Sequence, residues 1–261
     1  MNAMSSMEGK VVFVTGGAGG LGRVFCLRLA AAGANVAVAD IDEGEAKRVA
    51  AEVNGLGLAL DLRSSRSVDD SMNHAFEHFQ RIDVLINNAA VHLPKPVEEI
   101  TDEEFSSILD VNLRGSFYSS RAAARLLIAG KKGGRIINIV TRLFPNALSG
   151  PYMASKYGLW GLTGTLAMEL AKHQITVNAV APGVIRGTGM EKWFQEKASR
   201  FGMGQREFDS MVENSIPLGR TATPDDIAEM VLFLCSDAAS YITGELFNVS
   251  GGWTGYSRRL D

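Results

Sequence analysis

The sequence predicts one doubly wound α/β domain, a mainly parallel sheet with helices on both faces. Three observations predict it. Short apolar runs alternate with stretches of helical periodicity along the whole length, without a composition shift, linker or repeat between them. The first apolar run leads straight through a glycine-rich turn into a helix pattern. Acids, amides and small residues follow the C-terminal ends of the apolar runs, where an open parallel sheet holds its ligands.

The bulk properties restrict the function classes. The chain has 261 residues, 46% hydrophobic and 21% charged, enough for a large core. A net charge of −3 argues against a nucleic-acid footprint, which is normally basic. No apolar run approaches membrane-spanning length, so no membrane partner is expected. MNAMSSMEGK has no apolar core of signal-peptide length, which gives a cytoplasmic expectation. Residues 1–9 read as a flexible arm and 10–261 as the single domain. Cys26 and Cys235 sit in apolar, helix-like runs, so buried free thiols are expected rather than a disulfide or a metal pair, and no metal site is expected.

Residues 10–14 form the first strand and run into Thr15-Gly16-Gly17-Ala18-Gly19-Gly20-Leu21-Gly22. Val24, Phe25, Leu27, Leu29 and Ala30 then give a helix, stopped by Gly33. Glycines let backbone approach a pyrophosphate, and the helix start offers free N–H groups, so Gly16, Gly19, Gly20, Leu21 and Gly22 are dinucleotide-binding candidates. Residues 35–40 form the second strand and end in Asp40, whose carboxylate suits adenosine ribose hydroxyls and repels a 2′-phosphate. Ile41 follows, with no Arg or Lys immediately beside it, which favours NAD over NADP; Asp40 is equally suited to capping a turn. The third run, 56–62, ends at Asp61-Leu62, where adenine would rest. Val68, Met72, Ala75, Phe76 and Phe79 recur at helical spacing and read as core.

The fourth strand, 82–86, ends in Asn87-Asn88-Ala89-Ala90, residues that suit a loop against a ligand or an ordinary turn. Thr101 and Glu104 form a capping box for a helix that contains Asn112. A mid-helix asparagine competes for backbone hydrogen bonds, and a kink there would hold a water. The fifth strand, 135–140, is followed by Thr141, and the sixth, 175–181, by Pro182-Gly183. Residues 186–217 are polar and irregular, as a substrate lid would be. A helix over 224–234 and a strand over 246–249 close the fold before Gly251-Gly252-Trp253.

Between strands five and six lies Tyr152-Met153-Ala154-Ser155-Lys156, with a phenol and an ammonium on one helical face. Free tyrosine loses its proton near pH 10, and a neighbouring cation favours the phenolate. A shift of about three pH units corresponds to roughly 4 kcal/mol, more than one lysine usually supplies, so a second positive group is expected. Alone the pair reads as an amphipathic helix; the convergence of candidates at strand ends gives it a chemical reading. Gly158, Gly161 and Gly164 suggest close packing of this helix against a neighbour.

Taken together, these motifs resemble the short-chain dehydrogenase/reductase family in its compact single-domain form, over about residues 10–253. They are Thr15-Gly16-x-x-x-Gly20-x-Gly22, Asn87-Asn88-Ala89-Ala90, Asn112, Tyr152-x-x-x-Lys156, Asn178-Ala179-Val180-Ala181-Pro182-Gly183, Ile216-Pro217-Leu218-Gly219-Arg220 and Tyr241-Ile242-Thr243-Gly244. The resemblance implies a Rossmann-type, seven-stranded sheet and an NAD(H)-dependent oxidoreductase acting on a secondary alcohol or ketone. It makes Tyr152 the general acid/base and Lys156 the holder of the nicotinamide ribose, lowering the Tyr152 pKa. The oxidised nicotinamide is the second positive group. Asn112 anchors a water in a proton relay, and Pro182, Gly183, Val184, Ile185 and Thr188 hold the nicotinamide carboxamide. It also implies a homotetramer, or a dimer, with this helix and the last strand at the interfaces.

The sequence departs from the family at Thr141, where serine is usual, at Arg186-Gly187-Thr188, one residue longer, and at Val249-Ser250-Gly251-Gly252, where the second residue is usually Asp. Thr141 keeps a hydroxyl able to polarise a carbonyl; Ser149 is too close to Tyr152 in sequence to take its place. His92, Arg142, Phe144 and Trp193 are substrate-side candidates, each equally readable as a surface or packing residue. Trp253 reads as subunit packing. Two rival functions stay open: a non-catalytic dinucleotide-binding protein, supported only by the missing serine, and an NADPH-dependent carbonyl (3-oxoacyl-type) reductase.

Overall fold

The computed structural model describes residues 6–143, 147–187, 194–195, 198–199 and 202–253. Among these residues, seven strands form one sheet: β1 (Val11–Thr15), β2 (Asn35–Asp40), β3 (Leu56–Ala59), β4 (Val84–Asn87), β5 (Gly134–Ile139), β6 (Ile175–Pro182) and β7 (Leu246–Val249). They run β3-β2-β1-β4-β5-β6-β7, every neighbouring pair parallel. The helices are α1 (Gly20–Ala31), α2 (Glu43–Glu52), α3 (Ser65–Phe79), α4 (Asp102–Leu109), α5 (Ser116–Gly130), α6 (Gly150–Leu170), α7 (Gln205–Asn214) and α8 (Pro224–Cys235).

The central strands are apolar throughout because both faces are covered. Val12 and Val14 of β1 point to a layer holding Phe25 and Leu29 of α1 and Ile227 and Val231 of α8. Val11 and Phe13 point the other way, to Val68 and Met72 of α3 and Ala123 and Leu127 of α5. The order reverses at β1, which has β2 on one side and β4 on the other. That switch opens the crevice where such sheets bind ligands.

The predicted capping box at Thr101 and Glu104 opens α4, and a second one at Thr223 and Asp226 opens α8 with Pro224 in its first turn. Cys26 and Cys235 are buried free thiols, both pushed up to about 12 by burial. No helix among the described residues is long and apolar enough to cross a membrane.

Several expectations need correction. The arm predicted over 1–9 is packed at its end: Met7 is fully buried in the α1 layer, and its N–H donates to Ala32 O at 2.9 Å. Residues 1–5 lie outside the described residues. The lid segment is not irregular throughout, since 205–214 is α7, which buries Phe208 against Phe194. Sequence reading gave no helix over Glu43–Glu52; α2 is capped by Asp42, which accepts from Glu45 N–H at 3.0 Å. The third strand stops at Ala59 rather than Leu62. Of Gly158, Gly161 and Gly164 in α6, only Gly158 packs closely within the chain, where an added Cβ would lie 2.9 Å from Leu113 Cδ2.

The glycine-rich turn is sterically committed. Gly16 has φ +63, and a Cβ there would stand 2.8 Å from Ala89 Cα. A Cβ on Gly22 would stand 1.9 Å from Gly16 O, while one on Gly19 would meet nothing within 4 Å. Gly22→Ala is therefore expected to lower unfolding stability by about 1–3 kcal/mol in urea titrations. Gly19→Ala should change it by less than about 1 kcal/mol; equal losses would mean that the turn is not packed as described.

Candidate active site

A cleft of about 790 Å³ runs along the C-terminal ends of β1, β2, β4, β5 and β6. One end is lined by Gly16, Gly19, Gly20, Leu21, Asp40, Ile41, Asp61, Leu62 and Arg63. The middle is lined by Asn88, Ala89, Ala90, Thr141, Tyr152 and Lys156 with Pro182, Gly183, Val184 and Ile185. Beyond Tyr152 lie Val91, His92, Arg142, Ser149, Met153 and Trp253. Thr188, Phe144 and Trp193 fall outside the described residues.

The first end is built to hold an anion. α1 starts at Gly19 in an extended conformation, with no side-chain cap and no acid in its first turn, so its leading N–H groups stay available. Thr15 and Asn88 fix the turn. Asn88 and Ala89 N–H both donate to Thr15 Oγ1, at 3.0 and 3.1 Å, and Asn88 Nδ2 donates to Gly16 O at 3.0 Å. Gly22 does not face the cleft; it lets Gly16 O and Asn88 sit close. Asp40 accepts from Ala18 N–H at 3.1 Å and from Asp42 N–H at 3.2 Å, so it both braces the turn and lines the cleft. Asp61 is clasped by Arg63, Nε at 2.9 Å from Oδ1 and an NH2 nitrogen at 2.7 Å from Oδ2, which holds its carboxyl below the usual range. Sequence reading missed Arg63, because it looked for cations only beside Asp40.

Asn112 sits in a six-residue π-helical turn, Asp110–Gly115, that joins α4 to α5. The kink expected from a mid-helix asparagine is present. The side chain is fully buried and works as a clamp. Oδ1 accepts from Val91 N–H at 2.8 Å, and Nδ2 donates to Val91 O at 2.9 Å and Ser155 Oγ at 3.1 Å. Both amide hydrogens are thus engaged by the protein.

At the centre, Thr141 and Tyr152 both line the cleft, and Thr141 draws the tyrosine pKa down against the effect of burial. Lys156 is 2% exposed; Nζ donates to Ile139 O at 2.7 Å and lies 5.7 Å from the Tyr152 ring centre. Burial raises Tyr152 to about 12, against the opposing effect of Thr141, and burial lowers Lys156 to about 8. Desolvation is the larger influence on the tyrosine, so a positive group beyond the chain's own residues would be required to favour its phenolate.

His92 does not project into solvent: its ring centre is 4.5 Å from that of Tyr152, and Nε2 is 3.0 Å from Ser149 Oγ. Arg142 Nε donates to Trp253 O at 2.9 Å, bringing both residues to the cleft wall. Trp253, read from sequence as subunit packing, is a cleft residue.

The Lys156 shift has a testable sign. Its folded pKa lies below the unfolded value, so its ammonium destabilises the fold fully below about pH 8, and the penalty fades as pH rises through 8 towards the unfolded value. Relative to wild type, cofactor-free Lys156→Met should lose stability steadily between those limits, by at most about 3 kcal/mol in total. A pH-independent difference in chemical denaturation would show that Lys156 is not desolvated.

Residues 16–254 match the family described as Enoyl-(Acyl carrier protein) reductase. A galactitol 2-dehydrogenase of Agrobacterium fabrum is 37% identical over 94% of this chain and 98% of its own. A short chain dehydrogenase/reductase of Aspergillus oryzae is 38% identical over 95% of each chain. The crystal structure of sorbitol-6-phosphate 2-dehydrogenase from Erwinia amylovora superposes with a TM-score of 0.90 at 33% identity, covering 93% of this chain and 98% of that one. The chain belongs to the short-chain dehydrogenase/reductase family, whose members are oxidoreductases that work with a nicotinamide cofactor.

Proposed function

We propose that the protein is an NAD(H)-dependent oxidoreductase that moves hydride between nicotinamide and a secondary alcohol or ketone. The carrying observation is that Thr141, Tyr152 and Lys156 line one cleft together with the glycine cradle. The cradle fits a dinucleotide: Gly16, Gly19 and Gly20 line it without side chains, and the start of α1 offers N–H groups without an opposing acid. In this reading Gly16, Gly19, Gly20 and Leu21 take the pyrophosphate and Asp40 the adenosine ribose. Ile41, Asp61 and Leu62 border adenine, Asn88, Ala89 and Ala90 flank the nicotinamide ribose with Lys156, and Pro182 to Thr188 hold the carboxamide. When bound, the nicotinamide supplies the hydride acceptor or donor.

The chain's own residues handle the proton. On oxidation Tyr152 Oη takes the substrate hydroxyl proton, and on reduction it returns it. Thr141 Oγ1 orients the substrate oxygen towards Tyr152. Lys156, with its pKa brought to about 8, exchanges protons close to working pH. Asn112 positions α6 through Ser155 and the β4 loop through Val91. The non-catalytic rival rested on the missing serine, and a threonine hydroxyl in the same cleft as Tyr152 weighs against it. The reading includes 10–261 as one catalytic domain in the cytoplasm, and 186–217 as a substrate lid. Arg186 stacks on Phe194 at 4.3 Å and pairs with Asp209 at the base of that lid. Exposed Met168 and open Gly161 and Gly164 on α6 support a homotetramer, or a dimer, joined through that helix.

One observation favours NADPH as a second reading: Arg63 lies at the adenosine end, although Asp61 already engages its guanidinium. Wild type should reduce NAD at least about tenfold more efficiently than NADP with any alcohol it accepts, and Asp40→Ala should narrow that ratio. A wild-type preference for NADP would reverse the reading of Asp40. Tyr152→Phe should cut kcat about 10²–10⁴-fold while NADH still binds, read by fluorescence titration. Full turnover in that variant would remove Tyr152 from the mechanism.

A further inference from the structure

We propose that His92 and Ser149 form a second polar contact that recognises a hydroxyl or carbonyl on the carbon next to the reacting one. The favoured substrates are then vicinal diols and α-hydroxyketones rather than simple alcohols. This rests on the dehydrogenase reading above.

Ser149 is the N-cap residue of α6, yet its hydroxyl caps nothing. N-cap serines ordinarily accept from an N–H of the first turn. Here Oγ is 3.0 Å from His92 Nε2, with only a marginal 3.5 Å contact to Ala147 O, and both side chains line the cleft. The preceding residue, Leu148, has φ +63, a left-handed conformation that a β-carbon disfavours. Backbone preference and helix capping both give way to a serine paired with His92 in the cleft lining. Such outliers persist where surrounding structure holds them for a task.

The other half of the pair is held as firmly. Val91, next to His92, is gripped through both its N–H and its carbonyl by Asn112. Lys95 N–H donates to Leu148 O at 2.9 Å, joining the His92 loop to the Ser149 loop. The His92 ring centre lies 4.5 Å from that of Tyr152, tilted 49°, so the pair borders the tyrosine within the cleft. Tyr152 and Thr141 hold the reacting oxygen; a group one carbon further on comes against His92 and Ser149.

The chemistry of the pair specifies the group. Imidazole and hydroxyl each donate and accept, as a hydroxyl or carbonyl does. Acids among the described cleft residues, Asp40 and Asp61, stand at the adenosine end, so nothing here selects an amine. A simple alcohol sets apolar carbon against this polar pair where a diol or hydroxyketone sets a group that hydrogen-bonds it, which favours the latter.

Three matched pairs test this: 2,3-butanediol with 2-butanol, 1,2-cyclohexanediol with cyclohexanol, and 1-phenyl-1,2-ethanediol with 1-phenylethanol, each with NAD and with NADP. Wild type should favour the diol at least about tenfold in kcat/KM wherever a pair is turned over. His92→Leu and Ser149→Ala should each shrink that ratio at least about fivefold, mainly through the diol KM, while His92→Gln, which keeps a donor, preserves it. A wild-type ratio near one overturns the inference without any variant. So does an equal loss on both members of a pair, which marks a merely structural role. Turnover of no alcohol with either cofactor overturns the dehydrogenase reading and takes this inference with it, whereas turnover without diol preference leaves that reading standing.

Discussion

The ammonium of Lys156 is enclosed by protein, with the Ile139 carbonyl at 2.7 Å, and the site is arranged around that contact. An enclosed charge is costly unless it is paired or hydrogen-bonded. Here burial lowers the lysine and raises the tyrosine, so both groups are pushed towards their neutral forms. The cofactor-free site is therefore a poor place for a phenolate. The enclosure that raises Tyr152 also strengthens any positive charge set beside it, because electrostatic interactions grow as the local dielectric falls. Reactivity then depends on what occupies the cleft.

That geometry survives because α6 is fastened along its length. Near its start, Ser155 receives a hydrogen bond from Asn112 and donates to Tyr152 O at 2.6 Å. At its middle, Gly158 lets Leu113 of the π-helical turn press against the backbone. Further on, Thr163 Oγ1 accepts from Asn138 of β5, whose Oδ1 accepts from Asn87 of β4, which also donates to Ser120 of α5. Buried amides in such a chain specify one arrangement, since each misplacement strands a polar group. The π-helical turn has the same logic, because the wider turn sets Asn112 between the β4 loop and α6.

The sequence made the frame legible where local chemistry and fold demand the same residue. β1 needs apolar residues on both faces, the following turn needs glycine where Ala89 and Gly16 O approach, and the crevice follows from the strand order. Legibility failed where a tertiary contact decides. α2 buries only Ala46, Val49 and Ala50, too narrow a stripe to announce a helix. α7 is equally polar and buries Phe208 alone. Met7 looked like part of a tail because nothing local shows that it fills a hole beside α1. Trp253 reaches the cleft because Arg142, distant in sequence, holds its carbonyl. Spacing on a helix likewise reveals the neighbouring cation but not how deeply both groups are enclosed.

The exchange of serine for threonine at 141 can be judged on the same terms. In the proposed mechanism the position must supply a hydroxyl beside Tyr152, and Thr141 carries one in the cleft lining. A β-branched side chain has fewer χ1 choices than serine, so its hydroxyl is held with less freedom to lose. The added methyl needs space on the cleft wall. The Ser149 hydroxyl is paired with His92 instead, 3.0 Å from its Nε2. The two hydroxyls thus stand at different places in the cleft, and the left-handed Leu148 precedes the second one at the start of its helix.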